Sequence, residues 1–159
     1  MTKTTDLVDA HEDEVWIAEP MFRTFGGILE FDGPIATVKV HEDNALVRKR
    51  LEEPGQGRVL VIDGGGSKRS ALIGDRLAAL GAQNGWKGVI VYGAVRDSLE
   101  IGKIAIGCVA LATHPKKSAK TGHGYLDIPV TFAGVSFVPG EHVWVDPDGI
   151  VLARTALRA

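Results

Sequence analysis

Two short polar segments carry the residue types best suited to chemistry: Gly74–Asp75 and Arg96–Asp97, with twenty residues between Asp75 and Arg96. A guanidinium offers two parallel donors to a carboxylate or an enolate oxygen. A carboxylate beside it suits a hard divalent cation such as Mg²⁺ or Mn²⁺. An exposed Arg–Asp pair without a function explains the same residues, since such a pair contributes almost nothing to stability.

The segment from Gly74 to Leu77 opens the helix that the sequence predicts most clearly. The first backbone amides of a helix have no partner within it, and with the helix dipole they suit a carboxylate or a phosphate. The candidate anion-binding residues are therefore Gly74, Asp75, Arg76 and Leu77. The alternative is that Asp75 only caps its own helix, which is physically sufficient.

Glu100 lies three residues after Asp97. If the chain is helical there, the two carboxylates share a face. Glu100 is then a candidate second metal contact, or it holds a water that acts as the base. A solvated helix face explains Glu100 equally well.

Two apolar runs, Val59–Ile62 and Val89–Tyr92, must position these residues. Both resemble buried parallel strands, and the helix that starts at Asp75 and stops at Gly85 connects them in a β-α-β unit. Ligands of open α/β sheets bind beyond the carboxyl ends of the strands. We therefore expect Asp75, Arg96, Asp97 and the amides after Gly74 to meet in an anion-and-metal site.

Other segments predict considerable extra β-structure around this α/β centre. The segment Ser70–Leu72 is ambiguous, and the sequence Asp-Pro-Asp-Gly at 146–149 is a strong hairpin turn. The remaining predicted elements are a helix over 6–11 capped by Thr5, a helix over 45–51 capped by Asp43 or Asn44, and strands within 22–28, 35–40, 104–112, 128–132, 135–138, 143–145 and 150–152.

The glycine-rich segment Gly64–Ser67 follows the first apolar run. It either lets a ligand approach the backbone closely or forms a tight turn. A dinucleotide or S-adenosylmethionine loop would require an acid roughly 20 residues further on, at the end of the next strand. That strand instead ends in Tyr92–Gly93, which disfavours this class of ligand.

Composition limits the remaining possibilities. The 159 residues suffice for a single domain over 1–159, and the net charge of -2 gives no electrostatic argument for direct nucleic-acid or membrane binding. Cys108 is the single cysteine, which excludes an intrachain disulfide and favours the cytoplasm. The five histidines show no metal-ligand spacing. The cluster Lys116, Lys117 and Lys120 either draws anionic substrates or, as we favour, forms a solvated loop.

These motifs together resemble the RraA-like family, which includes regulator of ribonuclease activity A proteins and class II 4-hydroxy-4-methyl-2-oxoglutarate aldolases. The spacing between Asp75 and Arg96–Asp97 is similar to the aldolase motif. The resemblance covers nearly the whole chain and is carried by residues 25–27, 42–46, 61–67, 71–72, 74–75, 93–97, 115–118 and 134–135.

The resemblance implies a swivelling β/β/α domain in a ring-shaped homotrimer. It implies that Gly74 to Leu77 hold a substrate carboxylate, that Arg96 binds the substrate, and that Asp97 binds a divalent metal. The implied activity is a lyase that cleaves a 4-hydroxy-2-oxoacid to pyruvate, with oxaloacetate decarboxylation through the same enolate and without a Schiff-base lysine. The resemblance leaves the base unassigned, and our hypothesis is a metal-held water positioned by Asp75 or Glu100.

The resemblance also implies a second function, a non-enzymatic inhibitor of an endoribonuclease that acts through its trimer surface. Family members that act as regulators can lack an acid after the arginine. Asp97 is present here, and it favours the enzyme.

Overall fold

A mixed sheet of ten strands forms the centre of the computed structural model, which describes residues 1–159. The strands of the chain are β1 (Val15–Ile17), β2 (Arg23–Thr24), β3 (Phe31–Lys39), β4 (Val59–Asp63), β5 (Ala71–Ile73), β6 (Gly88–Val95), β7 (Gly107–Thr113), β8 (Tyr125–Leu126), β9 (Val130–Phe132), β10 (Val135–Phe137), β11 (His142–Asp146) and β12 (Gly149–Ala153). The helices are α1 (Thr4–His11), α2 (Ala45–Glu52), α3 (Asp75–Gln83) and α4 (Ser98–Ile101), with a 3₁₀ turn at Glu12–Glu14.

The sheet order is β1-β12-β11-β3-β4-β6-β7-β2, with β5 added beside β6 and β8 beside β3. Strands β3, β4, β6 and β7 are parallel neighbours, whereas β11, β12 and β1 extend the sheet with antiparallel pairs. Strands β9 and β10 form a separate hairpin. The predicted central β-α-β unit, β4-α3-β6, and the additional short strands are both confirmed.

The sheet separates two apolar clusters, because successive side chains of a strand point to opposite faces. On β4, Leu60 and Ile62 pack in the cluster that includes α2 and α3, while Val59 and Val61 pack in a second cluster with the β9–β10 hairpin. All five residues of β4 are buried. This layering of helices, sheet and additional β-structure confirms the mixed α/β fold class.

Several predicted boundaries were wrong: tertiary pairing extends β6 and β3, whereas β7 begins later than predicted, after a bend. Strand β6 continues to Val95, so Gly93 lies inside a strand and Arg96 follows it directly. Strand β3 begins at Phe31, where it pairs with β11 before it pairs with β4 from Ile35 onward. Strand β7 starts at Gly107.

The cap predicted for α1 was also wrong. The helix begins at Thr4, and Lys3 is its N-cap. The Asp146 carboxylate accepts the amide and the hydroxyl of Thr4, each at 2.8 Å, and this long-range contact fixes the start of the helix. Asp146 also ends β11 in the predicted turn, where it pairs with Gly149. No helix in the structure is both long and apolar enough to cross a membrane.

The segment that the sequence left ambiguous is strand β5. It pairs parallel with the end of β6, with Ala71 opposite Ala94 and Ile73 opposite Val95. Because α3 begins two residues after β5, this pairing brings the N-terminus of α3 to the carboxyl end of β6.

Candidate active site

The pairing of β5 with β6 brings the two polar segments of the sequence together. The amide of Arg96 donates to the carbonyl of Ile73 at 2.9 Å. The Asp97 carboxylate oxygen Oδ2 accepts the amide of Asp75 at 3.2 Å, at the start of α3. The predicted meeting of Asp75, Arg96 and Asp97 is therefore present in the structure.

Gly74, the N-cap of α3, leaves room for this contact. A Cβ atom at Gly74 would lie 2.8 Å from Asp97 Oδ2 and 3.5 Å from Arg96 Cγ. The backbone of Gly74 is extended (φ -122°), so the requirement for glycine here is one of space. A side chain at this position would displace the carboxylate from the helix N-terminus.

Asp97 has a left-handed backbone conformation, with φ 57° and ψ 42°. This conformation costs a residue other than glycine on the order of 1–3 kcal/mol and persists where the surroundings fix it, often at functional sites. Here the β6 ladder precedes it and α4 begins immediately after it.

A cavity of about 550 Å³ lies at this edge of the sheet. Five basic side chains and two carboxylates line it, which leaves a surplus of three positive charges. The lining residues are Asn44, Ala45, Arg48, Ala71, Gly74, Asp75, Arg76, Leu77, Arg96, Asp97, Lys117 and Lys120. An anionic ligand, and one with more than a single negative charge, is the species this lining favours.

Every predicted site residue except Glu100 lines the cavity. The Glu100 carboxylate instead lies 3.4 Å from Nζ of Lys103 on an exposed face of α4. This placement favours the solvated-face alternative for Glu100. The Arg96 guanidinium has one long hydrogen bond, from Nη1 to the Pro115 carbonyl at 3.5 Å, which leaves most of its donors free.

Sequence reasoning missed the contribution of Asn44, Arg48 and Lys117 to the cavity wall, because it assigned Asn44 only a cap and favoured a solvated loop for the lysines. The loop 115–122 is tied to the protein at several points. The amide of Ala71 donates to the Lys116 carbonyl at 2.8 Å, and the amide of Asn44 donates to the Ala119 carbonyl at 3.0 Å. These bonds place Lys117 and Lys120 on the wall, while Lys116 lies outside it.

The donor set fits a magnesium-like ion better than a closed metal site. The acids lining the cavity are Asp75 and Asp97, and no group of three or more His, Cys, Asp or Glu side chains anywhere in the structure is arranged to hold a metal. Mg²⁺ commonly keeps several waters and binds through one or two carboxylates together with substrate oxygens. Asp97, which is exposed beside Arg96, is the residue that would hold such an ion.

The glycine-rich segment forms a tight turn. Gly65 and Gly66 have φ of 67° and 75°, which favour glycine. The amide of Gly65 donates to Asp63 Oδ1, that of Gly66 to the Tyr92 carbonyl, and that of Ser67 to the Gly64 carbonyl. These amides are used within the protein, and the turn does not line the cavity.

Two adjacent acids, Glu42 and Asp43, follow β3 and connect loops on either side of it. Hydrogen bonds from the Ser67 hydroxyl and from Arg69 Nε, both 2.6 Å, lower the pKa of the Glu42 carboxyl. Burial opposes ionisation of Asp43, but bonds from the Thr121 hydroxyl and from three backbone amides outweigh it and lower the pKa of Asp43. Both carboxylates are therefore ionised anchors.

The chain is similar over nearly its whole length to known proteins whose descriptions name different functions. The family model described as RraA-like (Aldolase/RraA) matches residues 4–152. A protein of Alkalilimnicola ehrlichii named "Putative 4-hydroxy-4-methyl-2-oxoglutarate aldolase" is 57% identical over 154 residues, which cover 97% of this chain and 96% of that protein.

Two solved structures have nearly the same fold, each with a TM-score of 0.96. One is described as an S-adenosylmethionine:2-dimethylmenaquinone methyltransferase from Geobacillus kaustophilus; it is 49% identical and the match covers 98% of this chain and 97% of that one. The other is described as the RNA-processing inhibitor RraA from Thermus thermophilis; it is 46% identical, with 100% and 96% covered.

The ionised state of Asp43 predicts a dependence of stability on pH. Asp43→Asn should lower the free energy of unfolding near neutral pH by about 1–3 kcal/mol, because three backbone amides and the Thr121 hydroxyl lose a charged acceptor. The pKa of Asp43 is lower in the folded chain, so the unfolded chain takes up the proton first as the pH falls. The stabilisation is complete above the ordinary pKa of 3.8 and is lost as the pH falls through the lowered value.

Urea unfolding of both proteins across this range measures the effect, with Asp9→Asn at an exposed position of α1 as the control. A difference between wild type and Asp43→Asn that stays constant down to acid pH contradicts the assignment.

Proposed function

We propose that this chain, which belongs to the RraA-like family, is a divalent-metal-dependent class II aldolase. Its substrate would be 4-hydroxy-4-methyl-2-oxoglutarate or a related 4-hydroxy-2-oxoacid, cleaved to pyruvate. The observation that carries the proposal is the contact between Asp97 and the N-terminus of α3, beside the free donors of Arg96, in a cavity with surplus positive charge. The name of the Alkalilimnicola relative supports the same reaction class.

The first turn of α3 supplies a site for the substrate carboxylate. The amides of Arg76 and Leu77 have no acceptor in the structure, as expected for the first turn of a helix. They lie beside Asp75, and the helix dipole adds a favourable field for an anion. Gly74 has no side chain of its own, so the side chains of Asp97 and Arg96 can approach this helix terminus closely.

The remaining cations favour a substrate with a second carboxylate. Arg48 from α2 and Lys117 and Lys120 from the loop line the same cavity as Arg96. A pyruvate molecule carries one carboxylate, whereas a hydroxy-oxoglutarate carries two. The surplus of positive charge therefore supports the larger dianion as the substrate.

Cleavage requires a base to remove the proton from the C4 hydroxyl. The electron pair forms a C4 carbonyl, the C3–C4 bond breaks, and its electrons move onto the 2-oxo oxygen as a pyruvate enolate, which a proton at C3 converts to pyruvate. The Arg96 guanidinium would donate to this enolate oxygen, where new negative charge develops. A divalent ion held by Asp97 would supply further Lewis-acid polarisation of the substrate oxygens. A water next to Asp75 is the proposed base for this cleavage. Oxaloacetate would lose carbon dioxide and form the same pyruvate enolate.

Formation of pyruvate from a hydroxy-oxoglutarate and from oxaloacetate should require a divalent cation. EDTA should abolish both activities, and Mg²⁺ or Mn²⁺ should restore them. Borohydride added with substrate should leave activity intact, because Lys117 and Lys120 are exposed rather than desolvated as a Schiff-base lysine requires. A coupled pyruvate assay measures all three conditions. Turnover that survives EDTA, or substrate-dependent trapping by borohydride, rules out the proposed mechanism.

Arg96 and Asp97 should fail in different ways. Asp97→Ala should lower metal affinity sharply, with partial recovery of turnover at high metal concentration. Arg96→Lys keeps the charge but loses the planar fork, so metal binding should stay nearly intact while turnover falls by roughly 10²-fold or more.

Calorimetric metal titration and steady-state kinetics separate the two defects, and thermal unfolding should show that both variants stay folded. An exposed pair contributes only about 0–1 kcal/mol to stability. Wild-type kinetics in both variants would place the reaction elsewhere, and unfolding of both would make the pair structural.

The proposed assembly is a homotrimer, as the family resemblance implies. Exposed apolar side chains are available for contacts between copies, among them Leu99 at 83% exposure and Leu29 at 54%. Light scattering at micromolar concentration should therefore give three times the chain mass of 16.9 kDa, or a multiple of that. A monomeric mass contradicts this assembly.

The proposed location is the cytoplasm, since the single cysteine, Cys108, is buried and leaves no disulfide.

A second candidate function is inhibition of an endoribonuclease, which the likeness to the Thermus RNA-processing inhibitor favours. Asp97→Ala separates the two functions, because at low metal concentration it should sharply lower pyruvate formation and leave a surface-mediated inhibition unchanged. The methyltransferase description of the Geobacillus structure is not carried over. The glycine-rich turn at Gly64–Ser67 uses its amides internally, so it offers S-adenosylmethionine no binding loop.

A further inference from the structure

We propose that Asp43 is a positioning residue that holds the loop 117–122 against α2 and thereby gives the cavity its preference for a second carboxylate. The inference rests on the proposed function for its choice of ligand. Asp43 does not itself line the cavity. It acts through Lys117 and Lys120, which the loop carries.

Asp43 gathers donors from two separate elements. Its side chain is buried, with the residue 3% exposed. Its Oδ1 accepts the amide of Ala45 at 3.1 Å, at the start of α2, and the amide of Gly122 at 3.3 Å. Its Oδ2 accepts the amide of Thr121 at 2.7 Å and also the Thr121 hydroxyl. One carboxylate therefore joins the helix that carries Arg48 to the loop that carries the lysines.

The backbone beside Asp43 continues the same connection. The amide of Ala119 donates to the Glu42 carbonyl at 2.9 Å, and the amide of Asn44 donates to the Ala119 carbonyl at 3.0 Å. Lys120 Nζ then donates to Asn44 Oδ1 at 3.2 Å. The ammonium group of Lys120 is thus placed relative to α2 by bonds that depend on the position of the loop.

Loop order matters because a lysine side chain loses considerable rotamer freedom when it binds a ligand. The loop has few apolar anchors: Lys117, Ala119 and Lys120 are exposed, and Gly122 has a left-handed backbone with no neighbouring atom within 4 Å of the position that a Cβ atom would occupy. Ser118 is buried, and its hydroxyl donates to the Ala71 carbonyl at 2.7 Å. The charge-assisted bonds to Asp43 add the restraint on Thr121 and Gly122, directly after Lys120. Without the bonds to Asp43, the two lysines would have to become ordered when the ligand binds, and this loss of entropy would lower ligand affinity.

Glu42 provides a matched comparison, because it is an adjacent ionised acid with a different loop. Its carboxylate holds Ser67 and Arg69, beside the glycine-rich turn. Neither this turn nor Glu42 lines the cavity. A general loss of stability is expected from either acid, whereas a change in ligand preference is expected only from Asp43.

The test compares Asp43→Asn and Thr121→Val with Glu42→Gln and Ser67→Ala. Calorimetry in Mg²⁺ measures the affinity for 2-oxoglutarate, which has two carboxylates, and for pyruvate, which has one. Asp43→Asn and Thr121→Val should weaken 2-oxoglutarate binding, by about tenfold for Asp43→Asn. Pyruvate affinity should change by less than about twofold, since α3 and Arg96 are untouched. Glu42→Gln and Ser67→Ala should leave both affinities unchanged.

Hydrogen exchange of the peptide that contains residues 117–122 supplies an independent measurement. It should be faster in Asp43→Asn and Thr121→Val than in wild type or the controls. Unchanged exchange overturns the inference, and so does an equal loss of affinity for both ligands, which would indicate a general structural role. Thr121→Val removes one hydroxyl donor and decides the matter if Asp43→Asn does not fold.

The outcomes distinguish this inference from the proposed function. A wild-type protein that prefers 2-oxoglutarate but forms no pyruvate overturns the aldolase proposal alone. A wild-type protein that forms pyruvate but shows no preference overturns the inference alone. Binding of neither ligand overturns both.

Discussion

The pairing of β5 with the end of β6 is the constraint on which the candidate site depends. It consists of a few residues, with Ile73 opposite Val95 and a backbone bond from Arg96 to Ile73. Because α3 starts immediately after β5, this register places the N-terminus of a helix beside the first residues beyond a parallel strand. The Asp97 carboxylate then accepts an amide of that helix, while the next two amides remain free for a ligand. A shift of one residue would move Arg96 and Asp97 to the opposite faces of the sheet and separate them from α3.

The main elements of this arrangement were predictable because their signals are local. The apolar runs of β4 and β6 and the start of α3 at Asp75 follow from periodicity and capping, and the meeting of Asp75 with Arg96 and Asp97 follows from parallel strands that end at one edge. Strand β5 was not predictable, since three residues carry too little periodicity and only pairing with β6 defines them. The start of α1 was missed for the same reason, because a carboxylate 142 residues away fixes it.

The cationic wall was missed for a different physical reason. Arg48 and Lys117 lie far apart in the sequence, and both line the cavity because the loop is bonded to Ala71, to Asn44 and to the buried carboxylate of Asp43. A buried acid with several donors looks the same in the sequence as a helix cap, and Asp43 is indeed bonded to the amide of Ala45. The bonds to Thr121 and Gly122 come from a loop whose path no local pattern specifies. The sequence therefore predicted Asp43 as a candidate cap of α2 but not its bonds to the loop, and it favoured a solvated loop for the lysines.

The contrast between the whole chain and its cavity shows how this protein would select a ligand. The chain has a net charge of -2, yet its cavity has a surplus of three positive charges. At physiological ionic strength, exposed charges are screened beyond about 8 Å, so the cavity would attract a dianion mainly after the ligand has reached it. Selection then depends on contact geometry: the free amides of α3 and the Arg96 fork for one end of the ligand, and Arg48 with the two lysines for the other. A rigid attachment of the loop is consequently worth more here than additional positive charge, because charge without position would bind any small anion.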